Sequence, residues 1–376
     1  MTPLFGDLYR PVFPKAEMNQ TELEPKPDPT PLPVVGSAWT RGQRVVLALV
    51  MLIALTGLVG VSVRPAKVIF TPGTADPVNP IINITGAPTY RDDGRVLFLT
   101  VFQSSRRPTL FELAAAYLDA DAEIENERDV FGTQTRKEAN ELDQVMMTTA
   151  QASAKAAALR RLGYTVTISG DGVRVLSVES SAPAALVLKP GDVITAVDGQ
   201  GVSRVDQLSP LVRTRAPGAE INLSIKRGET AINVTTTTIA NSNGEAVIGV
   251  TAATAGARFD FPVDITITSG EVSGPSAGLA FTLGIIDDMT PGDLVGGGKV
   301  AASGTITPDG VVGPVGGLQQ KAVAAKRAGA RLMLVPDSEV DEVRSSDVGI
   351  EVVGVKNLDD ALRALAAAGG TPLPSS

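Results

Sequence analysis

Two side chains in this sequence could perform covalent chemistry together, Ser276 and Lys321. Ser276 sits in Gly274-Pro275-Ser276-Ala277-Gly278, which opens an apolar stretch with helical character. Proline suits the first positions of a helix, and a serine there lies beside backbone N–H groups that lack intrahelical partners. Those donors and the helix dipole favour a negative oxygen, so the hydroxyl has an oxyanion site at hand. The same position equally suits a serine that only caps the helix. Lys321 lies in Gly316-Gly317-Leu318-Gln319-Gln320-Lys321-Ala322-Val323-Ala324-Ala325. On a helical wheel it shares a face with Leu318, Ala324, Ala325 and Ala328, while Lys326 and Arg327 fall elsewhere. An ammonium among such neighbours is expected to be desolvated, which lowers its pKa and frees a base near neutral pH. The alternative is a stem lying on apolar surface with its head in water.

Composition narrows the chemistry. The 376 residues include no His and no Cys, which excludes Ser-His-Asp and Cys-His arrangements, disulfides and thiolate zinc sites. Acid–base work must fall to Asp, Glu, Lys, Tyr or a hydroxyl, and a Ser–Lys dyad is one of the few remaining ways to activate a hydroxyl nucleophile. A net charge of −8 argues against nucleic-acid binding, which needs a basic face. No metal or other cofactor is expected.

Several elements must position this pair. Residues 1–40 are rich in proline and read as a disordered tail. Val45 to Val63 is uncharged and long enough, at ~28 Å of helix, to cross a bilayer. The exit at Val61-Ser62-Val63-Arg64 is a poor cleavage site, so residues 41–64 read as a retained signal anchor. Arg41 and Arg44 precede the span and Arg64 and Lys67 follow it. The charge bias is therefore weak, and an inside tail with an outside body rests on the large region that follows a single span. Val96 to Val101 reads as a strand and Glu138 to Leu162 as an Ala-rich helix stopped by Gly163. Short strands and turns follow from Tyr164 to about Ile239. The last third alternates a strand at 264–267, a helix at 277–289, a helix at 318–328, strands at 331–335 and 352–355, and a helix at 358–368. Such mixing indicates an α/β or α+β domain.

Three blocks carry a family resemblance: Val272-Ser273-Gly274-Pro275-Ser276-Ala277-Gly278, Ser303-Gly304-Thr305-Ile306, and Gly313 through Ala325. In order and approximate spacing they resemble the Lon proteolytic domain. The resemblance implies Ser276 as nucleophile, Lys321 as general base, Ser303 as a hydroxyl that helps position the dyad, and Gly274 and Pro275 as its support. Many Lon proteins carry an acidic residue where this chain has Ser273. A second set, Gly172 to Val175, Ser180 to Ala185, and Leu188-Lys189-Pro190-Gly191-Asp192 through Asp198-Gly199, resembles a PDZ domain of the bacterial protease type. That resemblance puts a peptide groove at Val173, Arg174 and Val175, where an extended peptide would add as a strand.

The expected fold class is α+β: a Lon-type proteolytic domain with an inserted PDZ domain, preceded by a single transmembrane helix. The expected domains are an N-terminal part of the Lon-like domain at 65–163, a PDZ domain at 164–240, the Lon-like catalytic domain at 245–368 and a flexible tail at 369–376. No stretch fits G-x-x-x-x-G-K-[ST]: Gly296-Gly297-Gly298-Lys299 is followed by Val300, so no ATP is expected. The expectation is a bacterial membrane protein, single-pass, with its catalytic region extracytoplasmic. Its partners would be polypeptide substrates and the lipid bilayer. Lon domains typically form hexameric rings, so the resemblance implies a homo-oligomer. A different class of function remains open, a membrane-tethered PDZ scaffold whose Lon-like domain is inactive.

Overall fold

A computed structural model describes residues 39–373, apart from 91, 92, 133, 242, 271 and 347. The proline-rich tail, but for its last two residues, and the end of the C-terminal tail from 374 lie outside the described residues.

Helix α1 (Arg41–Ser62) starts on a reciprocal cap. The Gln43 N–H donates to Thr40 Oγ1 at 3.3 Å, and the Thr40 N–H donates to Gln43 Oε1 at 2.9 Å. Its 22 residues span ~33 Å and carry no charge after Arg44. It is long and apolar enough to cross a membrane.

Beyond it the chain builds two sheets. The first combines β1 (Lys67–Pro77), β2 (Arg95–Gln103) and β3 (Glu123–Asn126) with three strands from the last third of the chain. After β3 comes helix α2 (Arg136–Arg161). Then follow β4 (Val173–Val178), β5 (Val193–Val197), helix α3 (Val205–Arg213), β6 (Glu220–Arg227), β7 (Thr230–Thr237) and β8 (Val250–Thr254). Helix α4 (Gly278–Met289), β9 (Lys299–Ala302), helix α5 (Leu318–Arg327), β10 (Leu332–Pro336), β11 (Glu351–Val355) and helix α6 (Leu358–Ala367) complete it. The first sheet runs β11-β10-β9-β2-β1-β3, parallel from β11 to β2 and antiparallel at β1 and β3.

Strand β2 shows why this sheet lies at the centre. Val96 and Phe98 face a core built with α2, α4 and α6, while Leu97 and Leu99 face a second core built with α5. A strand covered on both faces needs an unbroken apolar run, which Val96 to Leu99 supplies. On α4, Phe281 is fully buried against Phe98, with ring centroids 5.9 Å apart, and its burial contributes about 2–3 kcal/mol.

Helix α2 begins on a capping box, with Thr135 and Glu138 exchanging side-chain and backbone hydrogen bonds. It ends where Gly163 takes φ +86° and the Tyr164 N–H reaches back to the Leu159 carbonyl at 2.9 Å. Its buried Ala154, Ala157 and Ala158 join α4 in one core.

The second sheet runs β7-β6-β5-β4-β8 and has its own core, centred on Val173, Ile194 and Ile225. The Lys189-Pro190-Gly191-Asp192 turn is held by a buried carboxylate. Asp192 accepts from Arg227 at 2.7 and 2.8 Å and from the Lys189 N–H at 2.8 Å, and the Arg227 guanidinium holds its carboxyl below the usual range.

This second sheet is an insertion. Residues on both sides of it, such as Leu159 and Val166 before and Val263 and Ile265 after, share one core, while the inserted core stays separate. Entry and exit strands run together as an antiparallel pair, Thr167–Ser169 against Arg258–Asp260. The sheet takes its fifth strand, β8, from 250–254, beyond residue 240 where the sequence reading ends the inserted domain. The short Val-Thr-Ala-Ala-Thr run carries no mark of which sheet it will join.

Candidate active site and peptide groove

Ser276 and Lys321 line one cleft of about 610 Å³, together with Asp143 from α2, Glu123 and Glu125 from β3, and Gly317. Ser276 lies on a single 3-10 turn, Pro275–Ala277, that leads into α4. Gly274 precedes it with φ +88°, a conformation that glycine adopts without strain, and its N–H donates to the Asp143 carbonyl at 3.0 Å. Pro275 fills the first position of the turn. The helix-cap alternative for Ser276 is not realised: neither the turn nor α4 has a side-chain cap, and the residue at the cap of α4 is Ala277. The Gly278 N–H donates to the Pro275 carbonyl, and the Leu279 N–H to the Gly304 carbonyl at 3.0 Å.

Ser303 is fully buried and reaches Ser276 through the main chain. Its hydroxyl donates to the Ser276 carbonyl at 3.4 Å, beside a shorter bond of 2.9 Å from the Gly304 N–H. The loop after β9 thus clamps the peptide unit that carries the serine.

Lys321 is 3% exposed, with Leu318, Ala324 and Ala325 buried around it and Lys326 and Arg327 exposed, as the helical wheel requires. Burial pushes its pKa down to about 8, against a smaller opposing pull from Glu339. Among the described residues it has no ion pair within 4 Å. The head therefore does not snorkel. It is a desolvated amine at the cleft wall.

Val173, Arg174 and Val175 do not occupy a free edge, which corrects the groove position read from the sequence. Strand β4 pairs with β5 on one side, at Val173 and Arg174, and with β8 on the other, at all three residues. The Val175 N–H and carbonyl are also bonded, to the Asp192 carbonyl and the Gly191 N–H, both at 2.8 Å. No backbone group there is left for an added strand. The sheet ends at β7 on one side and at β8 on the other, and β8 is the edge next to β4. Between β8 and α3 lies a groove of about 370 Å³, lined by Leu208, Val212, Ile248, Gly249, Val250 and Thr251. At its end Gly249 takes φ +68°, and its carbonyl accepts the Glu179 N–H at 2.8 Å.

Comparison with known proteins finds a family for each body, with a boundary between 238 and 239 that leaves β8 outside the PDZ match. Residues 160–238 match the PDZ domain family, and residues 239–367 match the Lon protease (S16) C-terminal proteolytic domain family. The Lon protease of Rickettsia conorii is 35% identical over 120 residues, which cover 30% of this chain and 15% of that protein. Lon protease 2 of Bacillus subtilis is 33% identical over 106 residues, 27% of this chain and 18% of that protein. This chain therefore spans under a fifth of the length of these relatives. The solved PDZ domain of the SdrC-like protein from Listeria monocytogenes is 29% identical, covering 22% of this chain and 87% of that one, with a TM-score of 0.21. The chain carries a PDZ domain followed by a Lon-type proteolytic domain, a domain of the serine-protease class.

Proposed function

We propose that this protein is an ATP-independent serine endopeptidase in which Ser276 is the nucleophile and Lys321 the general base. The observation that carries the reading is Lys321: a buried amine with its pKa lowered to about 8, on the wall of the cleft that holds Ser276. An amine so placed is neutral in a usable fraction near physiological pH and can accept the serine proton. Ser276 Oγ then attacks the scissile carbonyl, and the N–H groups of Ser276 and Ala277 are the proposed donors to the oxyanion. Lys321 returns the proton to the leaving amine, and water attacks the acyl-enzyme with Lys321 again as base. Ser303 holds the serine's peptide unit in place.

The sequence holds no phosphate-binding loop, and the proposed substrates are chains that arrive unfolded or flexible. The proposed presenter is the groove between β8 and α3, which suits an extended chain added to the sheet edge. Helix α1 is proposed as a signal anchor that holds the body at the outer face of a bacterial membrane, where exported polypeptides pass. A ring of identical subunits is the assembly that the Lon-type domain suggests.

The test is cleavage of a flexible reporter polypeptide by the full chain in nanodiscs, without nucleotide. Ser276→Ala and Lys321→Ala should each lower the rate by about 10³-fold or more. Equal cleavage by all three proteins would overturn the mechanism.

A further inference from the structure

The walls of the catalytic cleft are electrostatically one-sided. Apart from Lys321, the charged residues lining it are Glu123, Glu125 and Asp143. Among the described residues none of the three forms a salt bridge. Glu123 and Glu125 lie two apart on β3 and so face the same side of the sheet, with Glu123 opposite Phe70 of β1. Asp143 comes from α2, where its main chain also holds Gly274. The two elements therefore bring carboxylates to the cleft that carries the nucleophile.

A buried amide helps to fix one of these carboxylates in place. Gln320, the residue before the proposed base, is 4% exposed and donates its amide to Glu123 at 3.1 Å. Its carbonyl oxygen Oε1 is buried without a partner among the described residues.

We infer that the cleft selects polypeptides with a lysine or arginine side chain close to the scissile bond, held by Glu123, Glu125 and Asp143. This substrate class rests on the reading of Ser276 and Lys321 as the catalytic pair. The chemistry is complementary in number as well as in sign, since lysine and arginine offer only donors and these groups offer only acceptors toward the cleft. Burial raises the pKa of both Glu125 and Asp143, with Glu123 and Asp129 adding to the effect at Glu125, so a bound cation would also stabilise their charged forms.

The experiment uses the full chain in nanodiscs and a panel of otherwise identical flexible peptides. A single lysine, arginine, norleucine or glutamate is moved through the three residues on each side of the cut. The expected result is a kcat/KM about 10-fold higher for a basic residue than for norleucine at one or more positions, with glutamate lowest. Raising salt from low to molar should shrink that ratio. Glu125→Gln and Asp143→Asn should each bring the ratio toward one, mainly through KM, and the Glu123→Gln protein should do the same. A ratio near one in the wild type, or one that survives all three substitutions, would overturn the inference. Retained cleavage by Ser276→Ala would instead overturn the catalytic reading beneath it, so the two failures are distinguishable.

Discussion

Burial decides what Lys321 does. The unfolded chain holds this proton up to about pH 10.5, whereas the folded protein gives it up near pH 8. Between those values the unfolded state binds more protons, so this residue's contribution to stability rises with pH across the window and is lost as pH falls through 8. The shift corresponds to a penalty on the order of 3 kcal/mol at neutral pH. Lys321→Met, which keeps the apolar stem, is therefore expected to unfold at higher temperature than the wild type at pH 7. The gap should narrow between pH 8 and 10.5, as followed by circular dichroism. Peptide cleavage by the wild type should rise through an apparent pKa near 8 for the same reason, because only the neutral amine accepts a proton. Both the position and the apolar setting of this lysine were legible in the sequence, since Leu318, Ala324 and Ala325 recur at helical spacing. The carboxylates opposite were not: Glu123, Glu125 and Asp143 sit far upstream, and only the pairing of β3 with β1 and the packing of α2 bring them to the cleft.

At the scale of elements, the sequence was read best where periodicity and end signals agree. Helix α6 is expected at 358–368 and found at Leu358–Ala367, and the strand Asp264–Ile267 is found with the expected bounds. Strands β1 and β3 went unread: Pro72 and Gly73 interrupt the apolar alternation of β1, and β3 offers only Glu-Ile-Glu-Asn. The peptide groove was misplaced for a related reason. A strand pattern marks β4, but which of its neighbours ends the sheet is a property of topology, and here β8 covers it. If the groove lies along β8, its end depends on Gly249. A Cβ there would lie 2.5 Å from the Ala182 Cβ, and φ +68° is unfavourable for a branched residue. Gly249→Val should therefore displace the loop and weaken binding of a labelled peptide with a free C-terminus by about 10-fold or more, measured by fluorescence anisotropy. Substitution of the exposed Arg174 on β4 by Ala should leave that affinity within about twofold.

At the scale of the whole molecule, the insertion governs how the chain can be cut and rejoined. Helix α2 and helix α4 stand on opposite sides of the PDZ segment in sequence, yet they share a core with β2 and α6. A fragment that begins after the insertion therefore lacks α2, β1 and β2, and exposes the buried faces of α4 and β9. The insertion itself has a separate core and leaves through strands that lie side by side, Thr167 opposite Asp260. Partners in an antiparallel pair have Cα atoms about 4.5–5.5 Å apart, a gap that a short Asn-Gly turn closes. Excising residues 168–259 and joining the ends with such a turn should leave the proteolytic body folded, because Val166 and Val263 keep their places in its core. The expected outcome is a cooperative melt within a few degrees of the parent, with Ser276-dependent cleavage of a short flexible peptide retained. Cleavage of a long substrate with a free C-terminus should fall toward the rate of the short one. A fragment starting at residue 260 should give no cooperative melt. If that fragment folds and the excised protein does not, the two halves do not form one domain.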